Sequence, residues 1–271
     1  MENNDWLAEK RYQDNLQRIR GFRLLDDEFM TRVFSGNPAL TEMVLRIVLE
    51  NDELTVESVQ VQSEIKNLRH RSLRLDIRAV DKTGKQYDIE IQRADKGGVP
   101  QRARYHAALI DAEALQPGED FSALPESCVI FITEHDLFGK GLPLYHVDRT
   151  VQELGQEFGD GSRIIYVNGE YRNDDPIGRL MYDFSCTGSD EMNYAALADE
   201  VRYYKEDSKG VESMCRVIED LCRTEREEGR AEGGFEMLRI LFLKKLITAE
   251  DAAKQLPDCT PEEFIARCSG R

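Results

Sequence analysis

Apolar positions along the chain switch between a spacing of three to four and a spacing of two, and the switches mark its elements. Residues 26–34 and 38–50 carry helical spacing, the second stretch with Leu40, Met43, Val44, Ile47 and Val48 on one stripe. Asn37 stands as its candidate N-cap, with Pro38 in the first turn. From residue 55 the pattern alternates, predicting strands over 55–65, 73–81 and, after a D-K-T-G turn, 86–93. Past a Gly-Gly-Val-Pro break, residues 101–115 read as an Ala-rich helix stopped by Pro117 and Gly118. The run CVIFIT at 128–133 is apolar throughout, as in a strand buried on both faces. Short strands at 144–148 and 163–167 extend the sheet, and from Pro176 onward the pattern is helical only, over 211–245, 249–255 and 261–268.

The segment LRLDIRAVDKTGKQYDIEIQR, residues 73–93, fixes its own register. Leu75, Ile77 and Ala79 point one way and Arg74, Asp76 and Arg78 the other; Tyr87, Ile89 and Ile91 likewise oppose Asp88, Glu90 and Gln92. A three-residue loop, Lys82-Thr83-Gly84, with Gly84 in a left-handed conformation, matches apolar with apolar across the pair. A one-residue slip would mix the faces. The matching register sets Ile77 against Ile89, Arg78 against Asp88 and Asp76 against Glu90. Two carboxylates with Cβ atoms about 5 Å apart repel unless a raised pKa, a basic neighbour or a divalent cation compensates. Oxygen ligands at that spacing suit magnesium or manganese. The same pattern also fits ordinary cross-strand pairing, with Arg74 and Arg78 neutralising Asp76, Asp88 and Glu90.

Composition narrows the classes. The 271 residues, 41% hydrophobic and 32% charged, suffice for an ordinary core without disulfide or metal staples. The longest apolar runs, Cys128–Ile132 and Tyr194–Ala198, are five residues, far short of the roughly 20 that span a bilayer. The opening MENNDWLAEKR carries neither a secretory apolar block nor a transit-peptide pattern, so a cytoplasmic location is expected. Six scattered cysteines without a C-x-x-C pair suit reduced thiols. P-loop, G-x-S-x-G and Cys/His patterns are absent, and His135 and His146 form no catalytic set by spacing. A net charge of -16 opposes a polyanionic partner, yet residues 60–110 hold eleven Lys and Arg against six Asp and Glu. A basic island therefore sits in an acidic chain.

Asp76 followed on the next strand by Glu90-x-Gln92, within the order helix, three strands, helix, strand, resembles the PD-(D/E)XK nuclease core. The chain is more closely similar to the PD-(D/E)XK nuclease family transposases, the group related to Rpn-like recombination-promoting nucleases. The segments carrying the likeness are LLDDEFMTRVF (24–34), residues 66–93, residues 101–133 and LPLYHVDRT (142–150). The resemblance implies a magnesium- or manganese-dependent DNA endonuclease in which Asp76, Glu90 and the Ile91 carbonyl hold the metal. Gln92 stands where the wider superfamily has a Lys; it can orient water but cannot act as a base. Asp26, in a D-x-x-F pattern with Phe29, either joins the metal shell through water or caps its helix. Arg102 and Tyr105, three residues apart, either present a charge and a hydroxyl to a DNA phosphate or are satisfied within the protein. Arg74, Gln101 and Arg69 are further phosphate candidates.

The resulting expectation is an α/β restriction-endonuclease-like core, α-β-β-β-α-β with a mixed sheet flanked by helices, over residues 1–205, and a helical C-terminal module over 206–271. Its partner would be DNA, with no membrane association, and its assembly a homo-oligomer through the C-terminal helices. The alternative is a catalytically degenerate nuclease fold that binds nucleic acid or protein.

Overall fold

The computed structural model describes residues 2–66, 71–93, 95–257 and 259–269. Arg69 lies outside the described residues. The chain divides into two compact units, residues 1–214 and 215–271. The first opens with α1 (Glu2–Gly21), α2 (Asp27–Phe34) and α3 (Pro38–Leu49), followed by β1 (Val56–Ile65), β2 (Leu73–Asp81) and β3 (Gln86–Gln92). Then come α4 (Pro100–Ala114), β4 (Ser127–Thr133), β5 (Leu144–Val147), a small hairpin of β6 (Thr150–Val151) and β7 (Gln156–Glu157), and β8 (Ser162–Asn168). α5 (Pro176–Ser185) and α6 (Ala195–Glu206) follow, and α7 (Ser208–Leu243) runs on into the second unit.

The main sheet has six strands in the order β1-β2-β3-β4-β8-β5. β1, β2 and β3 form an antiparallel meander, β3, β4 and β8 run parallel, and β5 closes the far edge antiparallel to β8. The sheet is therefore mixed and flanked by helices, as the pattern predicts. Parallel β3 and β4 are buried along nearly their whole length, because parallel strands need cover on both faces. Here α4 supplies part of that cover. Ala103, Ala107 and Ile110 of α4 join Ile65, Leu73, Leu75, Val129, Phe131 and Tyr166 in one core cluster.

The β2–β3 turn forms as its sequence dictates. Gly84 adopts φ +88°, and its N–H donates to the Asp81 carbonyl at 2.9 Å. The ladder then pairs Val80 with Gln86, Ala79 with Tyr87, Arg78 with Asp88 and Ile77 with Ile89. At α3, Pro38 occupies the first turn, but Asn37 makes no capping bond; its Nδ2 donates to Glu200 Oε1 at 2.9 Å. α1 was not legible as a helix, because most of its described side chains are exposed and it lacks a broad apolar stripe.

The second unit comprises the remainder of α7 with α8 (Ala249–Ala253) and α9 (Pro261–Cys268). Thr248 with Asp251 and Thr260 with Glu263 form capping boxes that start α8 and α9. Phe264 is fully buried, its ring 5.6 Å from that of Phe235 and 5.5 Å from that of Phe242. No described helix is long and apolar enough to cross a membrane.

Candidate active site

Past the Ile77–Ile89 pair the β2–β3 ladder gives way to side chains. The Asp76 N–H donates to Glu90 Oε1 at 2.9 Å, and the Ile91 N–H donates to Asp76 Oδ2 at 2.9 Å. Each acid thus takes an amide of the opposite strand, which holds both carboxyl groups at the seam. On the other side of Asp76, β1 departs from regular geometry. Gln62 adopts φ +55°, between Val61 and Ser63, which pair with Ile77 and Leu75. For a residue with a side chain this is a strained conformation. Its Nε2 donates to Asp27 Oδ1 at 2.8 Å and to Thr31 Oγ1 at 2.9 Å, tying the kink to α2.

Helix α4 brings a cation and an imidazole onto the same acids. Arg102 and His106 lie one turn apart, on one face of the helix. Arg102 Nη2 donates to Glu90 Oε2 at 3.0 Å, its Nη1 to Gln92 Oε1 at 2.9 Å and its Nε to His106 Nε2 at 3.2 Å. Because Nε2 accepts, the imidazole proton sits on Nδ1, which donates to Asp88 Oδ2 at 2.8 Å. Phe131 backs the group, its ring centroid 5.9 Å from the Arg102 guanidinium carbon and 5.5 Å from the His106 ring.

Asp88, Glu90 and His106 are fully buried. Burial pushes the Asp88 carboxyl up to about 8, and the Asp76 charge adds to the shift. Glu90 is raised by burial first and then by the charges of Asp88 and Asp76. Asp76 is raised by burial, against the Ile91 hydrogen bond that lowers it, with Asp27 adding to the rise. Burial lowers His106, so the imidazole is neutral. One oxygen, Asp88 Oδ1, is buried without a partner. Asp88, Glu90 and His106 each offer a ligand atom within 4.8 Å of the others. Two carboxylates, one of them with an orphaned oxygen, and an imidazole fit a divalent cation by donor chemistry.

The structure brings Asp76, Glu90, Gln92 and Arg102 together, and the Ile91 amide with them. Other sequence candidates lie elsewhere. Asp26 precedes α2 but forms no capping bond; it accepts from the Arg23 N–H at 2.7 Å and from Arg93 Nη1 at 2.6 Å. It is Asp27, one residue on, whose charge reaches Asp76. Tyr105 donates its hydroxyl to the Arg71 carbonyl. Arg74 is exposed and pairs in register with Glu64 of β1. No arginine of β2 forms an ion pair with these acids among the described residues, although the Arg78 charge, opposite Asp88, lowers that carboxyl. Arg78 turns to Glu113 of α4 and to Gln86 Oε1, and the cation on Glu90 comes from α4 instead. The charged side of β3 is not open to solvent, since α4 packs over it and Asp88 and Glu90 are buried. Sequence reading missed Asp88 as more than a partner of Arg78, and it missed His106 altogether. The available signal was the four-residue spacing of Arg102 and His106 on a helix otherwise rich in alanine.

A mixed six-stranded sheet, with acids on adjacent strands beside a covering helix, is the arrangement of a restriction-endonuclease-like fold. The family model of the PD-(D/E)XK nuclease family transposases matches residues 32–171, over half of the chain, and the chain belongs to that family. The match takes in Asp76, Asp88, Glu90, Gln92, Arg102 and His106, and it begins after Asp26. PD-(D/E)XK nucleases use divalent metal ions. No curated protein and no solved structure matches the chain.

Proposed function

We propose that the chain is a metal-dependent DNA endonuclease that hydrolyses phosphodiester bonds in a transposition or recombination setting in the cytoplasm. Its nuclease domain would span residues 1–205, with 206–271 as a helical module. Asp76, Glu90 and the Ile91 carbonyl would hold a magnesium or manganese ion, which when bound polarises the phosphate and lowers the pKa of the attacking water. Gln92 would orient that water by hydrogen bonding, since an amide takes no proton at neutral pH. Asp88 and His106 would fix the position of Glu90, and Arg102, Tyr105 and Arg74 would meet DNA phosphates. The observation carrying this reading is the interlock of Asp76 and Glu90 through each other's strands. Such geometry costs desolvation and repulsion, and a cation would repay both.

Nicking of supercoiled plasmid with manganese tests it. Activity is expected in the wild type and lost in both Asp76→Ala and Glu90→Ala. Activity surviving in either variant removes the assignment. A second reading, a degenerate nuclease fold that binds nucleic acid or protein without cutting, is favoured by Gln92 and by the Arg102 guanidinium on Glu90 and Gln92. Binding of DNA with no nicking in magnesium or manganese would select it. Self-association through the C-terminal helices completes the proposal; a single-chain mass by sedimentation equilibrium, or an oligomer unchanged when the chain ends near residue 205, would contradict it.

A further inference from the structure

Both oxygens of Glu90 already accept a hydrogen bond. Oε1 accepts from the Asp76 N–H, and Oε2 accepts from Arg102 Nη2. The first donor is main chain inside the sheet and stays where it is. The second is the tip of a long side chain that is 36% exposed, while Glu90 itself is fully buried. Arg102 also occupies the one nitrogen of His106 that has a lone pair to give, because Nδ1 is engaged with Asp88. A third bond holds Arg102 on Gln92. One guanidinium therefore covers a carboxylate oxygen, an imidazole nitrogen and the amide oxygen proposed to orient water. A divalent ion on Glu90 and a guanidinium hydrogen-bonded to the same oxygen would be two cations at close range in a dry site, where like charges repel strongly.

We infer that Arg102 is an internal counter-cation of the metal-free site, and that a divalent cation arriving at Glu90 exchanges with it. This inference rests on the nuclease reading and adds a regulation of that site. In the metal-free protein Arg102 compensates Glu90 and holds Gln92 away from water; with metal bound it leaves through its exposed side, uncovering Glu90 Oε2, His106 Nε2 and Gln92 Oε1 together. Asp88 and His106 keep their bond, because Arg102 takes no part in it.

The test follows two signals in the nitrogen-15 NMR spectrum of the full chain during a magnesium chloride titration without DNA. The Ile91 amide reports on Asp76, to which it is hydrogen-bonded, and the Arg102 Nε–H reports on the guanidinium. Its cross-peak is identified by its loss in Arg102→Lys. The expected result is that both signals shift along one binding curve, the Arg102 peak weakening at saturation as its proton meets solvent. If the Ile91 amide shifts to saturation while the Arg102 peak keeps its position and intensity, the exchange is overturned and the nuclease reading stands. If Ile91 does not respond to magnesium or manganese, the metal assignment fails and the exchange fails with it.

Discussion

The imidazole of His106 joins helix to strand: its Nδ1–H donates to Asp88 Oδ2 at 2.8 Å, and both side chains are fully buried. The other Asp88 oxygen, Oδ1, is buried without a partner, so the carboxyl depends strongly on this bond. Truncation in His106→Ala therefore leaves a buried carboxyl unpaired, at a cost of about 2–4 kcal/mol. Urea melts should show it. A change below about 0.5 kcal/mol, the range of a surface substitution, would mean the pair does not hold α4 to β3.

The raised carboxyls predict a pH slope. Asp88, Glu90 and Asp76 all hold their protons to higher pH in the folded chain than in the unfolded one. The folded state thus binds more protons between the unfolded value near 4 and the folded values, so metal-free stability falls as pH rises through that window. His106 is shifted down, so it opposes folding only as pH drops below about 6.5. Lys205, lowered by burial to about 8, acts the other way as it begins to lose its proton in the folded chain, so the carboxyl effect is alone only between about pH 6.5 and 7. The melting temperature of protein in EDTA should fall across that range, and the fall should be shallower in Glu90→Gln, which has no charge to bury. A flat or rising profile in EDTA would contradict the burial of these acids.

Gly97 leaves room for Gln92. A Cβ at this glycine would sit 1.9 Å from Gln92 Oε1 and 2.9 Å from its Cδ. That neighbour is the end of a flexible side chain, so Gly97→Ala should fold normally while displacing Gln92 from Arg102. Melting should stay within about 2 °C of wild type, and plasmid nicking should fall roughly tenfold or more, because small displacements of positioning groups are costly. Unchanged nicking would separate Gln92 from the reaction.

Gly84 holds the turn that sets the register. Its φ of +88° disfavours any Cβ, although nothing lies within 4 Å of one. Gly84→Ala should therefore cost about 1–2 kcal/mol through the backbone alone, measured by chemical denaturation. A neutral result would mean that the turn relaxes without cost and that the apolar faces alone fix the pairing.

Much of this was legible in the chain, for identifiable reasons. The match of Ile77 to Ile89 and Arg78 to Asp88 follows from period-two alternation and one glycine, both local signals. β4 was readable because a strand covered on both faces becomes a continuous apolar run. The terminal helix Pro261–Cys268 carries its start signal in Thr260, Pro261 and Glu263. What lay hidden was tertiary. No spacing along the sequence says that α4 lies over Asp88 and Glu90, so their burial could not be read and Arg102 stayed open between a DNA phosphate and a partner within the protein. The strained Gln62 was invisible because left-handed backbone at a glutamine has no compositional mark. Asp26 drew attention through its motif, whereas the charge that reaches Asp76 belongs to Asp27.

Crystals soaked in manganese and measured at its absorption edge would locate the ion itself. One anomalous peak is expected, bonded to carboxylate oxygens of both Asp76 and Glu90, with the Arg102 guanidinium moved off Glu90. Saturating manganese that gives no peak there, with Arg102 still bridging Glu90 and Gln92, would contradict the metal assignment.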